Sequence, residues 1–267
     1  MCTLPKRCGL IALLVSAAFA AMAQTPTAVV EVPAGMVRIP AGIYRPLFRG
    51  PSDLKEIPVR AFALDALPVT NEDFLKFVRA NPRWQRSKVK RLFADESYLK
   101  NWAGDLELGP SVATNAPVTF VSWFAAKAYA QWQGRRLPTV AEWELAAAAS
   151  ATEPDGTRDP AFTRKILQWY GTRADSTSVV GRREANLYGA HDLHGLVWEW
   201  VADFNTTMVT GDARGDTGLD QKLFCGAGSQ SARDPSDYAA FMRFGFRSSL
   251  KADYSVHNLG FRCAQDL

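Results

Sequence analysis

The sequence predicts one α+β domain with little regular secondary structure, and three observations lead to that prediction. Three segments carry the capping residues and apolar spacing of helices, several short runs alternate like strands, and the connections between them are long and irregular. The elements do not alternate as strand, helix, strand, so a parallel βαβ sheet is excluded. No internal repeat or linker divides the chain, which favours one domain over two.

Composition limits the function classes. The chain has 267 residues, of which 47% are hydrophobic and 22% charged, with a formal charge of +4. These values exclude a disordered tail, a collagen-like fibre, a disulfide-dense miniprotein and a strongly basic nucleic-acid binder. We therefore expect no nucleic-acid partner, and the net charge alone indicates no other one.

Residues 1–23 have the features of a secretory signal peptide. Lys6 and Arg7 form a positive start, residues 9–20 are apolar, and Ala21-Met22-Ala23 has the form of a signal-peptidase site. A retained anchor is the alternative, but the apolar run is shorter than the roughly 20 residues that span a bilayer. We expect a mature domain of residues 24–267, periplasmic or secreted, without membrane contact after cleavage.

Along the mature chain, the sequence predicts three strands followed by helices. Alternating residues predict strands at 36–39, 42–44 and 60–64. A helix should begin after Thr70, which with Asp73 resembles a capping box, and end before Pro82. A second helix should run from Ser122 to a stop at Gly134.

The third helix has the strongest signal. Thr139 and Glu142 form a T-x-x-E box directly after Pro138, and Trp143, Ala146 and Ala147 supply an apolar face. After Ser150 the helical period is lost, and the sequence predicts strands and loops only.

The cysteines leave three alternatives open. Signal cleavage removes Cys2 and Cys8, so Cys225 and Cys263 remain in an oxidising compartment. Each lies in a strand-like run, at 222–225 and 259–263. The pair could form a disulfide between neighbouring strands, remain two buried thiols, or supply a two-thiolate metal site.

Several catalytic arrangements are absent from the sequence. It contains no dinucleotide-binding glycine motif, no phosphate-binding loop, no G-x-S-x-G elbow and no H-E-x-x-H. Its three histidines cannot build a His-rich metal site. One segment, 192–200, places two carboxylates seven residues apart around loop carbonyls, a donor set that suits a hard cation.

Six ordered motifs resemble the formylglycine-generating enzyme family, also called sulfatase-modifying factor domains. They cover nearly the whole mature chain and are, in order, Pro68-Val69-Thr70-Asn71, Pro117-Val118 leading to Val121-Ser122-Trp123, residues 134–144, Asn186-Leu187-Tyr188-Gly189, residues 195–200 and Asn258-Leu259-Gly260-Phe261-Arg262. The resemblance implies a compact α+β fold related to C-type lectins, with structural calcium. It places side-chain calcium ligands at Asp192 and Glu199 and backbone carbonyl ligands at Gly195 and Val197.

The resemblance does not carry the family's oxidase activity. Members that make formylglycine hold copper with two cysteines, upstream of an arginine-rich strand. When Arg243 and Arg247 are matched to family arginines, the two cysteine positions become Asp234 and Ala239. Neither side chain supplies the soft sulfur ligand that Cu(I) requires. Copper is therefore possible in this protein but not favoured.

A subgroup of the family is more similar still. The runs at 102–109, 224–228 and 237–243 resemble nitrite-reductase accessory proteins of the NirV type, which are exported beside copper nitrite reductase. The leading hypothesis is an accessory protein that binds a protein client through a groove at Asp234, Tyr238, Arg243 and Arg247. For each arginine, the alternative is a salt bridge inside the fold.

Two other functions remain as alternatives. The first is a periplasmic copper or redox enzyme that uses Cys225, Cys263 or Met242. The second is an immunity-type protein that neutralises a secreted toxin. The sequence indicates neither the client nor the oligomeric state.

Overall fold

A computed structural model of the chain describes residues 31–47, 54–171, 178–205 and 238–267. All of them belong to one unit, Glu31–Leu267. Within these ranges the chain forms seven strands and five α-helices. The strands are β1 (Met36–Ile39), β2 (Gly42–Tyr44), β3 (Ile57–Val59), β4 (Phe62–Asp65), β5 (Trp198–Trp200), β6 (Leu259–Phe261) and β7 (Ala264–Asp266). The helices are α1 (Asn71–Ala80), α2 (Trp123–Trp132), α3 (Val140–Ala148), α4 (Pro160–Tyr170) and α5 (Tyr238–Ser248), with a 3-10 turn at Pro82–Trp84.

The strands form three small sheets. In the largest, β4 lies between β1 and β7 and is antiparallel to both, with Met36 opposite Asp65 and Phe62 opposite Asp266. β2 and β3 form a separate antiparallel pair, and β5 runs parallel to β6. This mixture of short strands and helices agrees with the predicted α+β class.

The predicted helix starts in the first half of the chain are confirmed. Thr70 caps α1 by accepting the amide of Asp73, and Ser122 caps α2 by accepting that of Ala125. At α3, Thr139 and Glu142 form the full reciprocal capping box. Each cap satisfies amide groups that the first helical turn leaves without a partner.

The prediction that no helix follows Ser150 was wrong, because α4 and α5 lie beyond it. α4 begins at an ordinary cap, where Asp159 accepts the amide of Ala161 and Pro160 follows. α5 buries Ala239, Arg243 and Arg247, which are four residues apart. Its buried face is therefore helical in period but largely cationic, so a search for apolar spacing misses it. The same helix replaces the arginine-rich strand that the family resemblance implied.

The core is rich in aromatic side chains. The ring of Phe74 lies 5.8 Å from that of Tyr129 and 6.1 Å from that of Phe261, which joins α1, α2 and β6. Trp200 is fully buried, and its indole N–H donates to the carbonyl of Val121. Trp200 thus fills the core and satisfies its one donor, as is usual for this residue.

Some sequence predictions fall outside the described residues. These are the signal peptide at 1–23, the strand at 222–225 with Cys225, and Asp234. No helix within the described ranges combines the length and the apolar character needed to cross a bilayer.

Candidate functional site

A buried ion cluster joins α3 to α5. The Glu144 carboxylate of α3 accepts hydrogen bonds from Arg243 Nε and Nη2, at 2.9 and 2.8 Å, and from Arg247 Nη1 at 2.5 Å. All three side chains are at most 10% exposed. Of the two alternatives for these arginines, the structure therefore shows the salt bridge inside the fold.

Two aromatic neighbours make further contacts with the cluster. Arg243 Nη1 donates to the Tyr170 hydroxyl at 3.1 Å, and the Arg247 guanidinium lies 4.8 Å from the centre of the Trp143 ring. Burial raises the pKa of Glu144, but the attraction of the two arginines outweighs it and the pKa falls to about 2. Glu144 is consequently ionised at all physiological pH values.

A cavity of about 680 Å³ lies beside this cluster. Its walls include apolar side chains of β2, α3 and α5, and Glu144, Arg243 and Arg247 are among its polar lining residues. Tyr44 and Asp203 also line it, and burial raises the pKa of both groups. A volume of this size and character is typical of pockets that accept a small molecule or a side chain.

The predicted groove residues that the structure describes differ in exposure. Tyr238 is 53% exposed at the start of α5, whereas Arg243 and Arg247 are buried and form ion pairs with Glu144. Asp234 lies outside the described residues. The open cavity is lined by one face of α5, at Ala240, Arg243, Phe244 and Arg247, and Tyr238 is not on it.

Ala239, where the sequence resemblance places the second copper cysteine, is a buried residue of α5. Ala239 is 3% exposed, and its carbonyl accepts a hydrogen bond from the Tyr170 hydroxyl. Next to it, the Trp198 ring stacks between Tyr170 at 4.9 Å and Phe246 at 4.5 Å. A cavity of about 10 Å³, roughly enough for one water molecule, lies beside this aromatic stack.

The two carboxylates predicted to bind calcium each lie close to a different arginine. Glu199 is fully buried and accepts from Arg262 Nε and Nη2 and from Trp143 Nε1, at 3.0, 2.8 and 2.7 Å. Asp192 is also buried, and the Arg183 guanidinium lies 3.8 Å from its Oδ1. These contacts occupy both oxygens of Glu199.

The donor set fits a calcium ion only in part. Oδ1 of Asp192 has no hydrogen-bond partner, which suits a ligand, but Glu199 has no free oxygen to offer. Near Gly195, which has a φ of +101°, the side chain of Arg183 already fills the space where a Cβ would point. Within the described ranges, no three His, Cys, Asp or Glu side chains converge on one point. Calcium at Asp192, Gly195, Val197 and Glu199 stays a prediction.

Cys263 is buried and free in the described structure. Burial is the main cause that raises the pKa of its thiol well above the usual value, with a further contribution from the nearby Asp65 carboxylate. A protonated, inaccessible thiol is a poor nucleophile and a poor metal ligand. Since Cys225 lies outside the described residues, the disulfide between them stays a prediction.

Sequence reasoning missed two members of the ion cluster. Glu144 belongs to the Glu-Trp-Glu run that also contains the capping residue Glu142. A charged residue next to the buried Trp143 in a helix was the sequence feature that could have indicated a buried ion pair. Tyr170 belongs to α4, which the sequence did not predict. Both residues join the site only through tertiary contacts.

Comparison with known proteins gives a consistent result. The family model described as the sulfatase-modifying factor enzyme 1-like domain matches residues 16–267. The chain is 30% identical over 255 residues to inactive C-alpha-formylglycine-generating enzyme 2 of Bos taurus, covering 80% of each protein. It is 32% identical over 268 residues to the formylglycine-generating enzyme of Streptomyces coelicolor, covering 81% of this chain and 82% of that one.

Other matches cover less or are more distant. Serine/threonine-protein kinase pkn1 of Chlamydia caviae is 33% identical over 150 residues, which are 56% of this chain and 24% of that protein. The chain thus spans about a quarter of the length of the pkn1 proteins that it matches. The solved structure of PvdO from Pseudomonas aeruginosa matches with a TM-score of 0.46 at 22% identity, over 87% of this chain and 94% of that chain.

Proposed function

This chain belongs to the formylglycine-generating enzyme (sulfatase-modifying factor) family, and from that premise we propose that it is an exported accessory member without formylglycine-generating activity. It serves a periplasmic system, that of copper nitrite reductase, by binding a protein client.

One observation carries the proposal that the oxidase chemistry is absent. At the place where the family resemblance puts the second copper cysteine, Ala239 is buried under Tyr170, and the Trp198 ring is stacked into the adjoining space. An alanine methyl group cannot bind copper. The similarity to inactive enzyme 2 is consistent with this proposal.

The binding role is supported by the cavity beside α3 and α5. Its walls are apolar, and Ile43 and Leu54, which are 46% and 66% exposed, lie on its lining. Exposed aliphatic side chains that continue into an apolar pocket are typical of a surface that receives a partner's side chain. The ion cluster of Glu144 holds the pocket's two helices together and so preserves its shape.

An activity assay tests the first part of the proposal. The purified protein is loaded with copper and incubated with a cysteine-containing sulfatase peptide, and the aldehyde product is measured by mass spectrometry. We expect no product, while the Streptomyces coelicolor enzyme, assayed in parallel, converts the peptide. Turnover by this protein would overturn the proposal.

A binding assay tests the second part. Copper nitrite reductase from the same organism is immobilised, and binding of the wild-type protein is compared with that of two variants. We expect Ile43→Asp to weaken binding at least about tenfold, because it places a charge at the pocket. Leu106→Asp is the matched control, since Leu106 is 42% exposed and does not line the pocket. Absence of wild-type binding, or equal loss in both variants, would refute the client role.

Export has its own test. We expect the protein recovered from the periplasm to begin at Gln24, as determined by N-terminal sequencing. Recovery of an uncleaved chain from the cytoplasm would contradict the localisation.

A further inference from the structure

A basic surface segment lies far along the chain from the cavity. Residues 83–92, called the basic loop below, contain Arg83, Arg86, Lys88, Lys90 and Arg91 and no acidic residue. The loop carries a charge of +5, whereas the whole chain carries +4. The rest of the chain therefore sums to −1, from 26 basic and 27 acidic residues.

All five cations of the basic loop face solvent. Arg86 Nη1 donates to the carbonyl of Trp102 at 2.8 Å, and the Arg83 guanidinium lies 5.8 Å from the Trp84 ring. Within the part of the chain that the structure describes, none of the five forms an ion pair with a carboxylate. The nearby Asp105 accepts two hydrogen bonds from Ser87 and offsets one charge. The positive potential of the loop is therefore largely uncompensated.

The same loop presents an apolar tip. Leu92 is 73% exposed, more than any other large apolar side chain in the described ranges. It is directly preceded by Lys90 and Arg91. An exposed leucine in that position adds little to the stability of the fold, because its side chain is not buried, and it adds apolar area to a cationic surface.

Packing holds this arrangement in place. Val89 and Phe93, four residues apart, pack against the core, and the Phe93 ring lies 6.1 Å from Trp84 and 5.4 Å from Phe124. The amide of Phe93 donates to the carbonyl of Lys90 at 2.8 Å. Residues 90–92 are thus the outward side of a turn whose two ends are anchored inward, so the three side chains point away from the domain.

We propose that the basic loop is a docking surface for an anionic phospholipid membrane, with Leu92 inserted at the boundary between headgroups and acyl chains. Cations on anionic headgroups and a single aliphatic side chain below them are the features of interfacial binding. An acidic protein is the other chemical class. Arginine is enriched at protein interfaces, but lysine is depleted at their cores, leucine is uncommon among their energetic hot spots, and the one aromatic residue of the loop, Trp84, is buried. This inference departs from the sequence-based expectation of no membrane contact, and it does not depend on the proposed client.

Vesicle sedimentation tests the inference. The probes are vesicles of phosphatidylcholine alone and vesicles in which about one third of the lipid is phosphatidylglycerol. We expect wild-type protein to bind the anionic vesicles at low salt, to release them at high salt, and to bind neutral vesicles weakly. All proteins are tested as the mature chain, residues 24–267, so differences between variants report on the loop.

Two variants and one control separate the loop from general charge. Combining Lys88→Gln, Lys90→Gln and Arg91→Gln should lower the partition coefficient about a hundredfold, from roughly a fivefold loss for each cation. Leu92→Ser should lower it about tenfold at unchanged charge. The control combines Arg158→Gln, Arg164→Gln and Lys165→Gln, which are also exposed cations, and should retain most of the binding.

Three outcomes would overturn the inference. The first is that wild-type protein does not bind the anionic vesicles at low salt. The second is that the control variant loses as much binding as the loop variant, which would mean that net charge alone is responsible. The third is that the loop binds immobilised polyglutamate but not vesicles, which would assign it to an acidic protein instead.

Discussion

Replacing Glu144 by Gln tests the ion cluster on which the geometry of the candidate site depends. The substitution keeps the size of the side chain but removes the negative charge between Arg243 and Arg247. Both arginines are at most 10% exposed, so they would remain buried with no anion beside them. Removing one partner of a buried ion pair costs about 3 to 5 kcal/mol for this reason.

The pKa of Glu144 leads to a similar magnitude. The value falls from 4.5 to about 2, and 1.36 kcal/mol per pH unit converts this to about 3 kcal/mol of stability at pH 7. Because the folded-state pKa is depressed, this contribution is fully present above pH 4.5 and is lost as the pH falls toward 2. By the same linkage, roughly half of it remains at pH 3.

Urea unfolding of the two proteins at pH 7 and pH 3 checks this calculation. We expect Glu144→Gln to be about 3 kcal/mol less stable than wild type at pH 7, with the difference roughly halved at pH 3. Glu153→Gln, at an exposed position, should change stability by less than about 0.5 kcal/mol. A difference below about 1 kcal/mol at pH 7, or one that does not change with pH, would refute the reasoning.

Three further predictions concern stability and reactivity. Gly260→Ala should lower the free energy of unfolding by about 1 to 3 kcal/mol, because its Cβ would lie 2.7 Å from the Val118 carbonyl oxygen. Gly245→Ala, in open space on α5, should raise the free energy of unfolding by about 0.5 to 1 kcal/mol. Urea unfolding of both variants measures this contrast, and equal effects would contradict the prediction. The Cys263 thiol should resist alkylation in the native protein and react after unfolding in reductant, because it is buried. Peptide mass spectrometry follows the alkylation, and rapid labelling of the native protein would show that the thiol is accessible. Thr139→Ala should cost about 1 kcal/mol by removing the cap of α3, and a thermal melt unchanged by the substitution would argue against the capping box.

The sequence was informative where a local signal determines local structure. The caps at Thr70, Ser122 and Thr139 act within three residues of themselves, so their helices could be predicted without knowledge of the rest of the fold. α5 could not be predicted in this way. Two residues of its buried face are arginines, and the carboxylate that stabilises them in the core lies 99 residues away in sequence at Glu144.

The candidate site was predictable to a similar extent. The family motifs pointed to Arg243, Arg247, Asp192 and Glu199, and all four are buried. The pairing of each charge was not predictable, because Glu199 meets Arg262 only when β5 and β6 lie side by side. A carboxylate in a metal-binding motif can therefore be neutralised by an arginine that sequence spacing does not reveal.

The position of β4 between β1 and β7 affects the order of events during synthesis. β4 pairs with β1 within about thirty residues, but its other edge is completed only by residues 264–266, almost two hundred residues later. Until those residues have left the ribosome, the central strand of the largest sheet has one open edge. The largest sheet can therefore be completed only after a chain segment of almost two hundred further residues has been made.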